Sequence, residues 1–368
     1  VKTKKIAAHI LAVLSVGCTG TAYAQSSVTL FGMIDSGISY VSNRAGHSAW
    51  QTDDGINGPN LWGFIGKEDI GGGTKVIFNL VNQFSLNSGA FLPGQSLFTR
   101  NAFVGLSNDR FGTFTLGNQY DFMVDALYNS KDDPAIYTSH LYGQGAGPFQ
   151  KLALPNNPTG DFDWYRAAGR LPNSVKYVTP NVGDLSAGAM YGFGGVAGSV
   201  GTGNSSSFAV DYARGNFGFD AAYTFVKYPT TAGVIGPQVS VRNWGVGTRY
   251  QMGPVLMSAL FVTVKNNGNG ASVYQFSTGA NWLVRPDIGL SASYAYMKGN
   301  EVVTNNHAHQ FGLTADYYLS KRTTVYAMTV YQRANEGANA LIMGLTGPTA
   351  SSDGPNQLIA RVGLRTRF

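Results

Sequence analysis

Charge is scarce in this chain of 368 residues: only 12% are Asp, Glu, Lys or Arg, against roughly 25% in an ordinary soluble domain. Long apolar runs are missing too. Beyond residue 16 none approaches the ~20 residues that a membrane-spanning helix requires, which excludes a helical membrane protein. Cysteine is reduced to Cys18, so disulfide bridges are excluded. No stretch carries a 3.6-residue period, and no G-X-Y repeat speaks for collagen. What is present is a 43% hydrophobic chain with 12% aromatics and 48 Gly, too rich in aromatic and β-branched residues for disorder.

The first 24 residues have their own logic. Lys2, Lys4 and Lys5 precede an apolar stretch from Ile6 to Val16, and Ala22-Tyr23-Ala24 follows. A basic start, a short apolar centre and a small-x-small end predict a secretory signal peptide cut after Ala24. Residues 25–368 are then one mature domain. Loss of three lysines and no acid lowers its formal charge from +6 to +3. Cys18 lies within the signal, and its surroundings make a poor lipid-attachment site.

The mature region alternates. Val28, Leu30, Ile34, Ile38 and Tyr40 share one phase, with Thr29, Asp35 and Ser39 on the other. Phe217, Phe219, Ala221, Tyr223 and Phe225 oppose Gly218, Asp220 and Thr224. Near the end, Leu358, Ala360, Val362 and Leu364 alternate with Arg361 and Arg365. A period of two marks strands with one apolar side. Such segments are expected at about 28–40, 61–68, 74–86, 98–106, 112–119, 170–180, 184–194, 205–213, 217–227, 241–251, 255–264, 272–283, 288–298, 307–319, 324–334 and 356–368, sixteen in all.

Their connections alternate as well. Short polar turns such as Asn108-Asp109-Arg110, Arg214-Gly215-Asn216 and Gly253-Pro254 take turns with long connections at 41–60, 87–97, 120–169, 195–204, 228–240, 265–271, 299–306 and 335–355. Short turns at one rim and long loops at the other predict a closed antiparallel transmembrane β-barrel of 16 strands, an all-β fold. Its apolar side faces lipid, which accounts for the low charge, and closure leaves no unpaired backbone edge in hydrocarbon. Tyr40, Trp62, Trp244, Trp282, Tyr294 and Tyr296 suit interfacial girdles. A barrel of this size cannot be filled by its own side chains, so water is expected inside.

Six ordered strings then carry a family likeness. Ser27–Asp35 (SVTLFGMID), Trp62–Gly73 (WGFIGKEDIGGG), Arg100–Leu106 (RNAFVGL), Phe111–Gln119 (FGTFTLGNQ), Asn173–Pro180 (NSVKYVTP) and Gly363–Phe368 (GLRTRF) resemble Gram-negative general diffusion porins. The likeness is to their betaproteobacterial and neisserial branch and spans nearly the whole mature chain. It implies an outer-membrane homotrimer, each barrel conducting ions and small hydrophilic solutes passively. It also implies contact with outer-membrane lipid and lipopolysaccharide, and a terminal residue, Phe368, that belongs to the signal read by the barrel assembly machinery.

In such porins the third long loop folds into the lumen. Here that loop is 120–169, and its candidate acids are Asp121, Asp125, Asp132 and Asp133, with Asp161 and Asp163 further on. The resemblance implies a basic wall opposite, for which Arg100 and Arg170 keep their places and Lys176 shares the strand phase of Arg170. Acid facing base across a narrow throat sets up a transverse field that sorts solutes. Several positions depart from the family pattern: Leu61, Ile65 and Asn118 stand where basic residues are common, Val81 replaces an inner acid, and the loop lacks a PEFGG turn. A weakly charged constriction is therefore expected. A substrate-specific channel on the same fold, or a barrel serving as adhesin or structural anchor, is the alternative.

Other constellations carry less. His307 and His309 share a strand phase with Phe311 and Leu313 and face lipid; without further ligands they make no metal site. Gly201-Thr202-Gly203-Asn204 lacks the βαβ setting of a phosphate cradle. Basic residues are scattered rather than gathered into a nucleic-acid patch. No nucleophile and base stand in a hydrolase motif, so neither an enzymatic activity nor a cofactor is expected.

Overall fold

The computed structural model describes residues 26–92, 96–157 and 169–368. The expected signal peptide with Cys18, and the loop acids Asp161 and Asp163, lie outside the described residues. Strands in chain order are β1 (Ser27–Arg44), β2 (His47–Asp54), β3 (Leu61–Gly71), β4 (Thr74–Phe84), β5 (Phe91–Leu92), β6 (Asn101–Asn108), β7 (Gly112–Tyr120), β8 (Arg170–Val178) and β9 (Leu185–Gly192). They continue with β10 (Ser205–Arg214), β11 (Phe217–Pro229), β12 (Gln238–Met252), β13 (Val255–Asn266), β14 (Ser272–Arg285), β15 (Ile288–Gly299), β16 (His307–Tyr318), β17 (Thr323–Ala334) and β18 (Asn356–Arg367).

Every pairing is antiparallel, and the sheet closes because β1 has neighbours on both edges. Met33–Val41 pairs with Arg367–Ile359 of β18. On the other edge Ser27–Met33 pairs with Lys67–Leu61 of β3, and Ser36–Val41 with Asp54–Ala49 of β2. β2 and β3 thus lie end to end as one interrupted stave. With the two-residue β5 set aside, the described residues form a barrel of sixteen staves. The stretch 41–60, expected as a long connection, is not one. β1 runs on to Arg44, turns through Ala45-Gly46, and returns as β2. His47–Asp54 is polar on both phases (HSAWQTDD), so it carries no alternation to read.

Alternation fixes which face points out. Along β11 the exposed Phe217 and Phe219 alternate with the buried Gly218 and Asp220, and Ala222 and Thr224 are buried in turn. Outward apolar side chains left uncovered by protein suit hydrocarbon, while the inward polar ones need partners. At the closure the Phe368 backbone N–H donates to the Gly32 carbonyl at 3.0 Å, and the Gly32 N–H donates to the Phe368 carbonyl at 3.1 Å. A Cβ on Gly32 would stand 2.2 Å from the Phe368 ring, so only glycine lets the terminal aromatic lie across β1.

Candidate functional site

The chain between β7 and β8 supplies the partners that the inward polar residues need. Asp121 opens this segment, accepting from the Val124 backbone N–H at 3.1 Å ahead of a π-helical turn, Met123–Tyr128. Met123 and Leu127 are fully buried in a cluster with Leu260, Val262 and Met190 on inward strand positions. Along β10 the Ser207 hydroxyl accepts from Phe122 N–H at 3.0 Å. Further along the loop, Thr138 Oγ1 meets Ser293 Oγ of β15 at 2.7 Å, Gln310 of β16 donates to the Gly143 carbonyl at 2.9 Å, and Tyr142 reaches Ser39 of β1 at 3.3 Å and Asp53 of β2. The loop returns to β13, where Asn266 donates to the Leu152 carbonyl at 3.0 Å. All these wall residues point inward, so the described part of the loop, 121–157, lies inside the barrel.

Glycines on the wall make room for it. A Cβ at Gly188 would lie 2.1 Å from the Phe122 ring, and one at Gly247 would lie 2.5 Å from Asp132 Cβ. Either would overlap a loop side chain that is itself packed in place.

Charge pins the same segment. Arg249 of β12 donates to Asp132 at 2.8 Å and contacts Asp220 of β11, with Asp211 at 3.8 Å. Burial pushes the Asp132 carboxyl above its ordinary range, while Arg249 pulls it back. Asp121, wholly buried, is pushed up to about 6 by desolvation, and its Oδ2 has no hydrogen-bond partner among the described residues. Asp133 accepts from Ala135 N–H at 2.9 Å and starts a 3-10 turn, Pro134–Ile136.

The candidate acids are therefore not alike. Asp132 and Asp133 are buried at 0% and 1% exposure; burial between loop and wall takes them off the water-facing surface. Asp125 keeps a 40% exposed side chain and pairs directly with Lys176, which also donates to the Tyr120 carbonyl at 2.9 Å and sits 4.5 Å from the Phe122 ring. Arg100 and Arg170 come together around one ring, their guanidinium carbons 5.6 and 5.5 Å from the Tyr120 centroid. Arg100 also donates to Gln83 at 2.6 Å. A bulge separates Arg170 from Lys176: between the pairs Gly117↔Ser174 and Gln119↔Leu171, Pro172 and Asn173 of β8 oppose Asn118 alone on β7, with Asn173 at φ 50°. The strand phase they were expected to share is lost there.

Across from the loop, the wall of β3, β4 and β6 is different in kind. Registers Leu61↔Gln83, Ile65↔Asn79 and Ile77↔Gly105 put Leu61, Ile65, Ile77 and Val81 on the inner phase, with Phe103 opposite Asn79. Being apolar, these side chains offer the loop no hydrogen bond. A cavity of about 260 Å³ remains, shared by Ile77, Phe103, Asn79, Asn101, Asp125 and Lys176. The buried ion clusters Asp132–Arg249–Asp220 and Asp35–Arg361–Asp53 were missed from sequence. Asp35, Asp220 and Arg361 could be put on the polar phase, but nothing in a linear pattern names a partner more than a hundred residues away.

Comparisons with known proteins agree with this architecture. A family model described as Gram-negative porin matches residues 8–337. Outer membrane porin protein 32 of Delftia acidovorans is 28% identical, over 98% of this chain and 99% of that protein. The major outer membrane protein P.IA of Neisseria meningitidis serogroup C is 27% identical, over 75% and 77%. Among solved structures, the anion-selective porin from Comamonas acidovorans superposes with a TM-score of 0.76 at 25% identity, covering 94% of this chain and 100% of that one. A trimer form of OmpT from Vibrio cholerae shares the fold with a TM-score of 0.63 at 16% identity, covering 93% and 99%. With a closed sixteen-stave barrel, an apolar exterior and a family match over most of its length, the chain belongs to the Gram-negative porins of the bacterial outer membrane.

Proposed function

We propose that ions and small hydrophilic solutes diffuse passively between the folded-in loop and the β3–β4–β6 wall, through a throat of weak net charge. One observation carries this reading: the wall facing the loop bears Leu61, Ile65, Ile77 and Phe103, and the cation beside it, Lys176, is paired with Asp125. Arg100 and Arg170, gathered around Tyr120, are the residues to which we assign the setting of selectivity. Their bias is toward anions, as in the anion-selective relative, but smaller, because Leu61, Ile65, Ile77 and Val81 on the facing wall add nothing to the field. Assembly as a homotrimer is supported by the trimer form of a neighbour with the same fold. Phe368, half exposed at the seam, is the residue to which we assign recognition during barrel assembly.

Planar-bilayer recording in a salt gradient tests the reading. Wild type should close in three steps with a mild anion preference. Arg170→Ala and Arg100→Ala should each move the reversal potential toward cations, and the double variant K176M/D125N should leave it nearly unchanged. Absence of stable conductance removes the channel reading; unmoved potentials in both arginine variants remove these residues from the throat.

A further inference from the structure

The cavity between the loop and the β4–β6 wall is amphipathic, and its polar and apolar parts follow one another along the barrel axis. At the long-loop end stands Tyr120, the last residue of β7, which lines the cavity. The guanidinium carbons of Arg100 and Arg170 lie 5.6 and 5.5 Å from its ring centroid. Among the described residues no carboxylate forms an ion pair with Arg100. Its side-chain hydrogen bond goes to a neutral acceptor, Gln83 Oε1, at 2.6 Å.

From there toward the short turns, the inner positions read Asn101, then the cross-strand neighbours Phe103 and Asn79, then Ile77 opposite Gly105. Ile65 flanks Asn79 on the β3 side. The amides of Asn79 and Asn101 line the cavity with their Oδ1 atoms covered and unpartnered among the described residues, so their N–H groups are the ones turned to a solute. Donors and a cation therefore sit at one end, and an aromatic ring and a branched aliphatic chain at the other. A bare ion or a phosphate, hydrated all round, loses water against Phe103 and Ile77 and gains nothing in return.

We propose that this cavity binds small carboxylates that carry an apolar ring or short chain. The carboxylate lies at Arg100 and the two amides, and the apolar body lies against Phe103 and Ile77. A guanidinium fork matches the planar pair of carboxylate oxygens, and moving a ring out of water onto apolar side chains adds a gain that a bare anion lacks. At about 260 Å³ the cavity falls below the ~300–1,000 Å³ of pockets that take drug-sized ligands, which limits the body to one ring or a short chain. The inference deepens the proposed diffusion channel by naming a solute class, and it rests on that reading for the aqueous path to the cavity.

The probe is benzoate, compared with acetate, which lacks the ring, and with benzamide, which lacks the charge. Ligand-observed NMR titration of the detergent-solubilised full-length protein reads binding whether or not the barrel conducts. Wild type should hold benzoate about tenfold more tightly than either comparison compound. Arg100→Gln should weaken benzoate about tenfold and leave benzamide where it was. Phe103→Ser should remove the preference for benzoate over acetate, and Phe103→Leu, which keeps an apolar side chain, should retain it. In planar bilayers benzoate should reduce the wild-type current saturably, over the same concentrations as it binds. Equal wild-type affinities for benzoate and acetate, or for benzoate and benzamide, overturn the proposal whatever the variants do. So does benzoate binding that neither Arg100→Gln nor Phe103→Ser weakens, or displacement of benzoate by equimolar inorganic phosphate, which marks a site for any anion. Stable conductance without benzoate binding removes the site and leaves the channel; benzoate binding without stable conductance removes the channel and leaves the site.

Discussion

Arg249 on the barrel wall donates to Asp132 in the folded-in loop at 2.8 Å, across 117 residues of sequence. The same guanidinium serves Asp220 and lies 3.8 Å from Asp211, so one cation balances three carboxylates. Removing the cation from a buried cluster leaves carboxylates without compensation, at about 3–5 kcal/mol. Arg249→Gln should therefore lower the heat-dissociation temperature and loosen the loop, read as larger and noisier open-channel current. R249Q/D132N should recover part of the stability. If current and noise in Arg249→Gln match wild type, the pair does not anchor the loop.

Steric seating offers an independent probe of the same loop. Gly188→Val puts carbon where the Phe122 ring now lies, the first new atom falling 2.1 Å from it. Overpacking of this kind costs about 1–3 kcal/mol unless the loop moves away. Mean single-channel conductance should rise in Gly188→Val, with the barrel still resistant to detergent at room temperature. A conductance equal to wild type would mean that Phe122 moves without shifting the loop.

Asp121 should make stability depend on pH. Burial holds its carboxyl at about 6, above the ~3.9 of an unfolded aspartate. Between those values the folded state binds more protons than the unfolded one, so stability falls as pH rises through about 4 to 6 and levels off above. Asp121→Asn keeps an oxygen for Val124 N–H and cannot ionise. Heat-dissociation temperatures measured from pH 4 to pH 8 should decline less in the variant, which should be the more stable protein at pH 7. Parallel pH curves for the two proteins would refute the assignment.

The apolar wall predicts a gain of selectivity from a single charge. Ile65 faces the lumen and is 37% exposed, so an arginine there keeps access to water and needs no buried partner. Ile65→Arg should move the reversal potential further toward anions than Arg170→Ala moves it toward cations, with unchanged heat-dissociation. An unmoved potential would put Ile65 outside the conducting path.

Much of this architecture is legible in the linear pattern. The strands found by alternation agree with the observed ones to within a few residues in most cases, as at 217–227 against Phe217–Pro229 and 272–283 against Ser272–Arg285. Lipid on one side and water on the other impose opposite demands on adjacent residues, and that demand is written at period two. Where it lapses, the pattern is silent: His47–Asp54 is polar on both phases and reads as loop, although it completes the stave begun by β3. The family resemblance, and not strand phase, marks Leu61, Ile65 and Val81 as wall positions, and a bulge at Asn173 puts Arg170 and Lys176 out of the phase they were expected to share.

Neighbours one or two positions apart specify the strands and the apolar exterior, and the alternation of short turns with long loops along the chain predicts that the sheet closes. The tertiary structure alone decided which charges face water. Asp132 and Asp133 are buried, Asp125 is exposed and paired, and Arg100 and Arg170 meet at Tyr120. Those outcomes depend on a loop that folds back on wall residues more than a hundred positions away, and on glycines whose missing side chains let it settle there. A carboxylate's role is set by what packs against it, and local sequence carries no record of that.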